Sequence, residues 1–171
     1  LRVKYERKAP IKMTAQMAEV LWIDGQKHFM FSNPLEDHFT QTGIRPSFRM
    51  QNTACRRGYV GEWEVIEGSL YLRRLKGTLI DGQLVTVAAL FPAEPKPVLA
   101  QWFTGSIRVP LGKMVRYVRL GYGSVYEDEL TLEFEQGLLK RKFRRNESLL
   151  RRLKFELKFH WKRVDRFFGG Y

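Results

Sequence analysis

The chain has 171 residues, of which 44% are apolar and 13% aromatic, and its formal net charge is +12. This length and composition allow one sizeable core and argue against disorder of the whole chain. The single cysteine, Cys55, cannot form an internal disulfide, and no apolar run has the length of a membrane span or the character of a secretion signal. These features predict a cytoplasmic protein without a transmembrane segment.

The positive charge is concentrated near the two ends of the chain. Residues 13–139 carry 13 Lys and Arg against 14 Asp and Glu, so this long middle part is close to neutral. Residues 1–12 carry five basic and one acidic side chain, and residues 140–171 carry twelve basic and three acidic ones. Basic ends on a neutral body favour attachment to a polyanion or to an acidic protein.

The first part of the chain predicts a hairpin and a short helix. Residues 20–23 and 27–31 have strand character and flank Asp24-Gly25, a dipeptide typical of tight hairpin turns. A turn of helix is expected at residues 34–39, where Asn33 can cap and Pro34 takes the favoured first position. The tetrapeptide Ile-Asp-Gly-Gln of residues 23–26 recurs at residues 80–83, before a β-branched run at residues 85–90. We interpret the repeat as shared turn chemistry rather than duplication.

The middle of the chain predicts further short strands. Residues 59–66 and 70–74 flank a turn at residues 67–69, residues 98–109 are rich in apolar and aromatic side chains, and residues 114–120 alternate less clearly. Residues 129–135 alternate most clearly, with Leu130, Leu132 and Phe134 on one face, and Gln136-Gly137 then forms a turn. The three prolines of residues 92–97 predict a surface loop. The expected body at residues 13–145 is mainly β, an antiparallel barrel or sandwich built from hairpins.

The C-terminal segment fits two periodicities. As a helix over residues 146–168 it presents one apolar stripe and ends at Gly169-Gly170, whereas as a strand residues 153–162 alternate between apolar and polar side chains. We favour an amphipathic basic helix, because it accounts for more of the length. Residues 1–12 are predicted as a basic leader whose flexibility the sequence leaves open.

In the helical interpretation one face combines aromatic rings with cations. This face is the main candidate binding site, and it consists of Arg151, Arg152, Phe155, Lys158, Phe159, Lys162, Arg163 and Arg166. Such a face can contact phosphates through its cations and stack bases on its rings. The same residues also fit a membrane-surface helix, or a face that packs on the β-body or on a partner.

Four charged residues of the β-body form a second candidate set, Arg57, Glu62, Glu64 and Arg73. Glu62 and Glu64 point to the same side of their predicted strand. Adjacent arginines on a strand point to opposite faces, so one member of each pair, Arg56-Arg57 and Arg73-Arg74, must lie at an edge or pair with an acid. If Arg57 and Arg73 join the two glutamates on one face, the result is an ion-pair lattice or, less favoured, a mixed-charge docking surface.

No catalytic or metal-binding motif stands out. Cys55 lies beside two arginines that would favour its thiolate, but a buried structural cysteine is the preferred interpretation. His28, His38 and His160 lack the spacing of metal ligands, and Glu62 with Glu64 fits a solvated sheet face as well as a carboxylate pair. Residues 121–124 are glycine-rich, yet no lysine or following helix makes them a phosphate loop. We predict no metal and no cofactor.

Two sequence blocks carry a resemblance to known proteins. The pattern C-x-R-G-Y-x-x-x-W-E begins at Cys55, and G-Y-x-S-x-Y-E begins at Gly121. The chain resembles, over residues 18–139, a group of small bacterial proteins of unassigned function that share these blocks. The resemblance implies a bacterial source and a compact β-rich body, and it transfers no functional residue.

Three classes of function follow from these features. The first and favoured class is a non-enzymatic module whose basic ends bind a polyanion, above all nucleic acid, with an affinity that falls steeply as salt rises. The second is an accessory or inhibitory module that docks an acidic partner protein through apolar anchors. The third is an enzyme whose site lies in the β-body, which would require a pocket with converging polar groups.

Overall fold

The computed structural model describes residues 14–146 of the chain. Strands are the main secondary structure of these residues, as the sequence predicts. The elements in chain order are β1 (Glu19–Ile23), β2 (Gln26–Met30), α1 (Pro34–Thr42), β3 (Tyr59–Ile66), β4 (Ser69–Thr78), β5 (Leu84–Val85), α2 (Val87–Leu90), β6 (Val98–Leu99), β7 (Gly105–Arg116), β8 (Val125–Glu135) and β9 (Leu138–Asn146).

The strands form one mixed sheet with the order β2-β1-β3-β4-β9-β8-β7, and the short strands β5 and β6 both pair with β4. All pairs of these strands are antiparallel except β1 with β3, which is parallel. The connection from β1 to β3 through β2, α1 and the loop after it has the length that a parallel pair requires. The mainly β prediction is confirmed. The prediction of a purely antiparallel sheet is wrong at the β1–β3 pair, and the sheet is not closed.

The predicted hairpin turns lie where the dipeptides indicate. Asp24 and Gly25 connect β1 to β2 with φ of 51° and 74°, and the same left-handed conformation recurs at 67–68 and 136–137. Positive φ at both central residues is typical of the two-residue hairpin turn whose twist matches that of the paired strands. The second Ile-Asp-Gly-Gln forms a different turn, in which Gln83 donates its backbone N–H to the Asp81 carboxylate at 3.0 Å. The interpretation of the repeat as shared turn chemistry is therefore wrong.

The segment after that turn differs from the prediction. Only Leu84–Val85 is a strand, and α2 follows at once because the Thr86 side chain caps it, accepting the N–H of Ala89 at 3.2 Å. The first helix begins at Pro34 as predicted. Asn33 precedes that helix, but its side chain makes no cap and accepts instead the hydroxyl proton of Tyr122 at 2.6 Å.

The core is a single cluster of buried side chains to which the sheet and α1 both contribute. Trp63 and Tyr59 of β3 are its largest fully buried side chains, and Leu35 and Phe39 of α1 pack with them. The ends of the strand order approach each other, since Phe31, just after β2, donates its N–H to the carbonyl of Arg108 in β7 at 2.7 Å. This approach brings the β2 end of the sheet next to the loop between β7 and β8.

Candidate functional site

The main candidate face lies outside the described residues. All eight of its members, Arg151 to Arg166, are beyond residue 146, as is most of the predicted helix at 146–168, and the leader at 1–12 precedes the described part. The proposed role of these segments therefore stays a prediction. The second candidate set lies entirely within the described part.

Three of the four residues of that second set meet on the outer face of the sheet. Arg73 forms an ion pair with Glu64 at 3.3 Å, and its guanidinium lies 5.6 Å from the ring centre of Trp22. The Trp22 indole donates to Glu62 at 2.8 Å. The favoured ion-pair lattice therefore exists for Glu64 and Arg73, while Glu62 is bound by an indole.

A β-bulge explains how two adjacent arginines both reach solvent. Glu62 pairs with Arg74 and Trp63 with Leu72, so Arg73 is an extra residue in β4. Both arginines are exposed. Arg73 pairs with an acid, as predicted for one member of this pair of arginines. Both arginines point outward because of the bulge, which the alternation of the sequence does not reveal.

Arg57 does not join that face. It is buried beneath the sheet, where its Nε lies 3.1 Å from the carboxylate of Glu19 and its Nη1 donates to the Met17 carbonyl at 2.9 Å. The hypothesis that places it with Glu62 and Glu64 is therefore wrong. The loop that ends at Gly58 turns Arg57 inward, where its guanidinium faces the acid group of Glu19 and the carbonyl of Met17.

Glu19 is the acidic partner in this buried network. Its second oxygen accepts the indole proton of Trp63 at 2.5 Å, and Gly61 contributes a backbone hydrogen bond. Burial raises the pKa of Glu19 to about 7, against the lowering effects of Arg57 and the hydrogen bonds from Trp63 and Gly61. Sequence analysis does not single out Glu19, because a lone glutamate before a strand gives no sign of a buried partner.

Tyr122 connects this network to the surface. Its hydroxyl accepts from Arg57 Nη1 at 3.2 Å and lies 2.6 Å from Asn33 and 3.1 Å from the Met17 carbonyl. Burial raises the pKa of Tyr122 to about 12, so the phenol is neutral and can donate. The ring of Tyr122 stacks on Phe31, with centroids 5.1 Å apart and an interplanar angle of 7°. One end of this side chain is fixed in the interior while its ring lines an open cleft.

That cleft, which we name the aromatic cleft, has a volume of about 280 Å³. Phe29 of β2 and Tyr117 of the loop after β7 are 64% and 56% exposed at its sides. Its five rings and its single thioether come from three separate segments of the chain. They are Phe29, Phe31, Met114, Tyr117, Tyr122 and Tyr126.

A second, more polar cavity adjoins the aromatic cleft and shares Tyr126 with it. This arginine pocket measures about 200 Å³ and is lined by Arg108, Arg116 and Arg145 with a single carboxylate, Glu129. Arg108 donates to Glu129 and is fixed by it, and that hydrogen bond raises the pKa of Arg108 further. The pocket therefore combines three permanent positive charges with one negative charge beside a set of exposed rings.

The basic strand β9 contributes less free charge than its sequence indicates. Four of its cations lie within 4.0 Å of a carboxylate: Lys140 of Glu135, Arg141 of Glu133, Lys142 of Asp24, and Arg144 of Asp128. Three of these acids belong to the neighbouring strand β8. Much of the positive charge at 140–146 is thus balanced within the sheet.

Cys55 and His38 pack against neighbouring groups of the fold. Cys55 is 1% exposed, and its thiol donates to the Tyr59 carbonyl at 3.4 Å, which confirms the preferred interpretation of a buried cysteine. His38 packs against the rings of Phe91 and Trp102, which stack on each other with centroids 5.2 Å apart, and burial lowers the pKa of His38. Within residues 14–146 no three His, Cys, Asp or Glu side chains come close enough to hold a metal ion.

Comparison of the chain with protein-family models, with curated proteins and with solved structures finds no match. In the part of the chain that the structure describes, neither helix has the length and apolar character needed to cross a membrane.

Proposed function

We propose that the protein is a non-enzymatic binding module for a polyanion, and that its ligand is single-stranded nucleic acid. The observation that carries this proposal is the position of the aromatic cleft directly beside the arginine pocket, with Tyr126 lining both. Proteins that bind single strands combine a positive groove with rings on which bases stack. The formal net charge of +12 favours the same class of ligand.

The aromatic cleft contacts the bases of the strand, and the arginine pocket contacts its phosphates. Phe29 and Tyr117 are the exposed rings on which unpaired bases stack, and Tyr126 marks the border of the two cavities. Arg116 makes no ion pair with any residue in the described range and offers its guanidinium to a phosphate. The basic face predicted at residues 151–166 would add sequence-independent contacts to the backbone of the strand.

The proposal is tested by fluorescence anisotropy with a labelled 12-nucleotide DNA strand. Phe29→Ala and Tyr117→Ala each remove a stacking platform, which is worth about 1–3 kcal/mol per base, so the Kd should rise about 5- to 150-fold. Tyr117→Phe keeps the ring and should bind like the unchanged protein. Ile44→Ala, which truncates a side chain that is 73% exposed elsewhere, serves as the matched control.

A duplex of the same sequence should bind more weakly, because its bases are not available for stacking. Equal affinity of single strand and duplex, with no effect of the two ring deletions, would contradict the proposal.

The alternative function is a protein-interaction module that docks an acidic partner. The observation that favours it is a rim of exposed apolar side chains at and near the aromatic cleft: Met17 at 42%, Met114 at 49% and Leu120 at 50%. Solvent-exposed apolar groups of this kind anchor protein interfaces. A complex held by such anchors survives moderate salt, whereas binding through phosphates weakens steeply, so a salt titration separates the two functions.

A further inference from the structure

A further basic cavity, which we name the bulge cleft, lies along β4, the middle strand of the order. It measures about 360 Å³ and is bordered by the bulge at Arg73 and Arg74, by Lys76, and by Lys96 from the proline-rich loop. The remaining lining residues are Leu75, Thr86, Val87 and Ala88, so no carboxylate lines this bulge cleft. It shares no lining residue with the aromatic cleft or the arginine pocket.

The edge of β4 that faces away from β3 has a gap in its strand pairing at this place. The short strand β6 pairs with β4 at residues 71–72 and β5 pairs at residues 77–78, which leaves the segment between them without a neighbour on that side. The bulge falls in this unpaired stretch and turns Arg73 and Arg74 outward together. Bulges of this kind are used to re-aim side chains next to functional sites.

The charges in the bulge cleft are only partly balanced. Arg73 pairs with Glu64, and the ammonium group of Lys96 is held by the carbonyls of Phe91 and Glu94, which leave its charge in place. Glu62, the cross-strand neighbour of Arg74, is bound by the indole of Trp22 and does not approach Arg74 within ion-pair distance. Arg74 and Lys76 are exposed and have no ionic partner in the described part of the chain.

We infer that the bulge cleft is a binding site for a phosphate group. Arg74 and Lys76 are the cations available to its oxygens, Lys96 adds a fixed positive charge, and the hydroxyl of exposed Thr86 lines the same cleft as a further donor. Guanidinium and ammonium groups without a competing carboxylate are the donors that phosphate prefers. The site does not depend on the nucleic-acid proposal, because the phosphate can belong to a nucleic-acid backbone or to a small phosphorylated compound.

The experiment is calorimetric titration with pyrophosphate at constant ionic strength. Three proteins are compared: the unchanged chain, the double variant Arg74→Gln with Lys76→Gln, and the control Lys27→Gln with Arg49→Gln. The control removes two exposed charges that line none of these cavities, so both variants have the same net charge. We expect the unchanged chain and the control to bind alike and the bulge-cleft variant to lose about tenfold or more in affinity.

Equal affinity of all three proteins, or no binding of pyrophosphate to the unchanged chain, overturns the inference. A second arm titrates the 12-nucleotide strand and identifies the source of the phosphate. Loss of strand affinity in the bulge-cleft variant alone assigns the site to the nucleic-acid backbone, whereas an unchanged strand affinity assigns it to a small phosphorylated compound. Phe29→Ala should leave pyrophosphate binding unchanged, so failure of the aromatic cleft and failure of the bulge cleft are distinguishable.

Discussion

The indole of Trp63 donates a hydrogen bond of 2.5 Å to the carboxylate of Glu19, and both side chains are 0% exposed. The other carboxylate oxygen of Glu19 lies 3.1 Å from Arg57. An acid in such a position is retained only while its partners compensate the loss of water. This group of three side chains ties β1 to β3 and, through Tyr122, to the aromatic cleft.

The raised pKa of Glu19 predicts a stability that depends on pH. The folded protein holds this proton up to a pH of about 7, whereas the unfolded chain releases it near the ordinary value of 4.5. The stabilisation is therefore complete below about pH 4.5 and is lost as the pH rises through about 7, by about 3 kcal/mol in the free energy of unfolding. Urea unfolding of the unchanged chain and of Glu19→Gln at several pH values measures this loss.

The glutamine variant keeps the shape of the protonated acid but cannot ionise. Its free energy of unfolding should lack this decline between pH 4.5 and 7, while all other titrating groups act equally in both proteins. The difference between the two proteins should thus shift in favour of Glu19→Gln as the pH rises. Parallel pH profiles for the two proteins would show that Glu19 does not titrate in this range.

Gly61 is required for the close approach of β3 to the buried acid. A methyl group at this position would lie 2.6 Å from the Trp63 indole nitrogen and 2.7 Å from a Glu19 oxygen. A methyl carbon cannot approach these atoms so closely unless the strand or the two side chains shift. Gly61→Ala should therefore lower the free energy of unfolding by about 1–3 kcal/mol. Gly105→Ala is the matched control, since its methyl group would meet the Phe103 ring at an ordinary 3.5 Å. Equal stability of the two variants would contradict this prediction.

The local elements could be predicted from the sequence because each depends on nearby residues. The turns at residues 24–25, 67–68 and 136–137 follow from the positive φ that Asp-Gly, Glu-Gly and Gln-Gly pairs adopt in tight turns. Alternation in β8 predicts that Leu130, Leu132 and Phe134 face the core, and Leu132 and Phe134 are buried while Leu130 is half-buried against it. Thr131, on the predicted polar face, is also buried. The start of α1 follows from the position of Pro34.

The pairing of distant strands and the site could not be predicted in the same way. The parallel contact of β1 with β3 and the bulge at Arg73 depend on the whole sheet, and no local pattern encodes them. The sequence predicts that one member of the Arg56-Arg57 pair lies at an edge or pairs with an acid, but it does not identify Glu19, 38 positions earlier in the chain, as the acid that Arg57 meets. The aromatic cleft likewise joins rings from segments that only the fold brings together.

Tyr122→Phe should separate the two roles of this tyrosine. The substitution removes the hydroxyl that meets Asn33, the Met17 carbonyl and Arg57, and leaves these polar groups without that partner. The free energy of unfolding should fall by about 1–3 kcal/mol. The ring that stacks on Phe31 remains, so the affinity for the 12-nucleotide strand should stay unchanged at temperatures where the variant is folded.

Thermal unfolding and fluorescence anisotropy of the same Tyr122→Phe preparation provide the two measurements. A variant as stable as the unchanged chain would contradict the structural role of the hydroxyl. A folded variant with weaker strand binding would show that the hydroxyl, and not only the ring, contributes to the aromatic cleft.

Deletion of residues 147–171 tests the predicted role of the basic C-terminal segment. This segment contains seven Lys and Arg against three Asp and Glu, including all the cations of the main candidate face. Each phosphate that a cation contacts on a single strand contributes about −0.7 to the slope of log K against log salt. We expect the truncated chain to elute from a single-stranded DNA column at a lower salt concentration and to show a shallower salt slope.

Because the aromatic cleft lies within residues 14–146, Phe29→Ala should still weaken binding in the truncated chain. Unchanged elution after truncation would exclude the C-terminal segment as an attachment site and would leave the aromatic cleft and the arginine pocket as the proposed contacts.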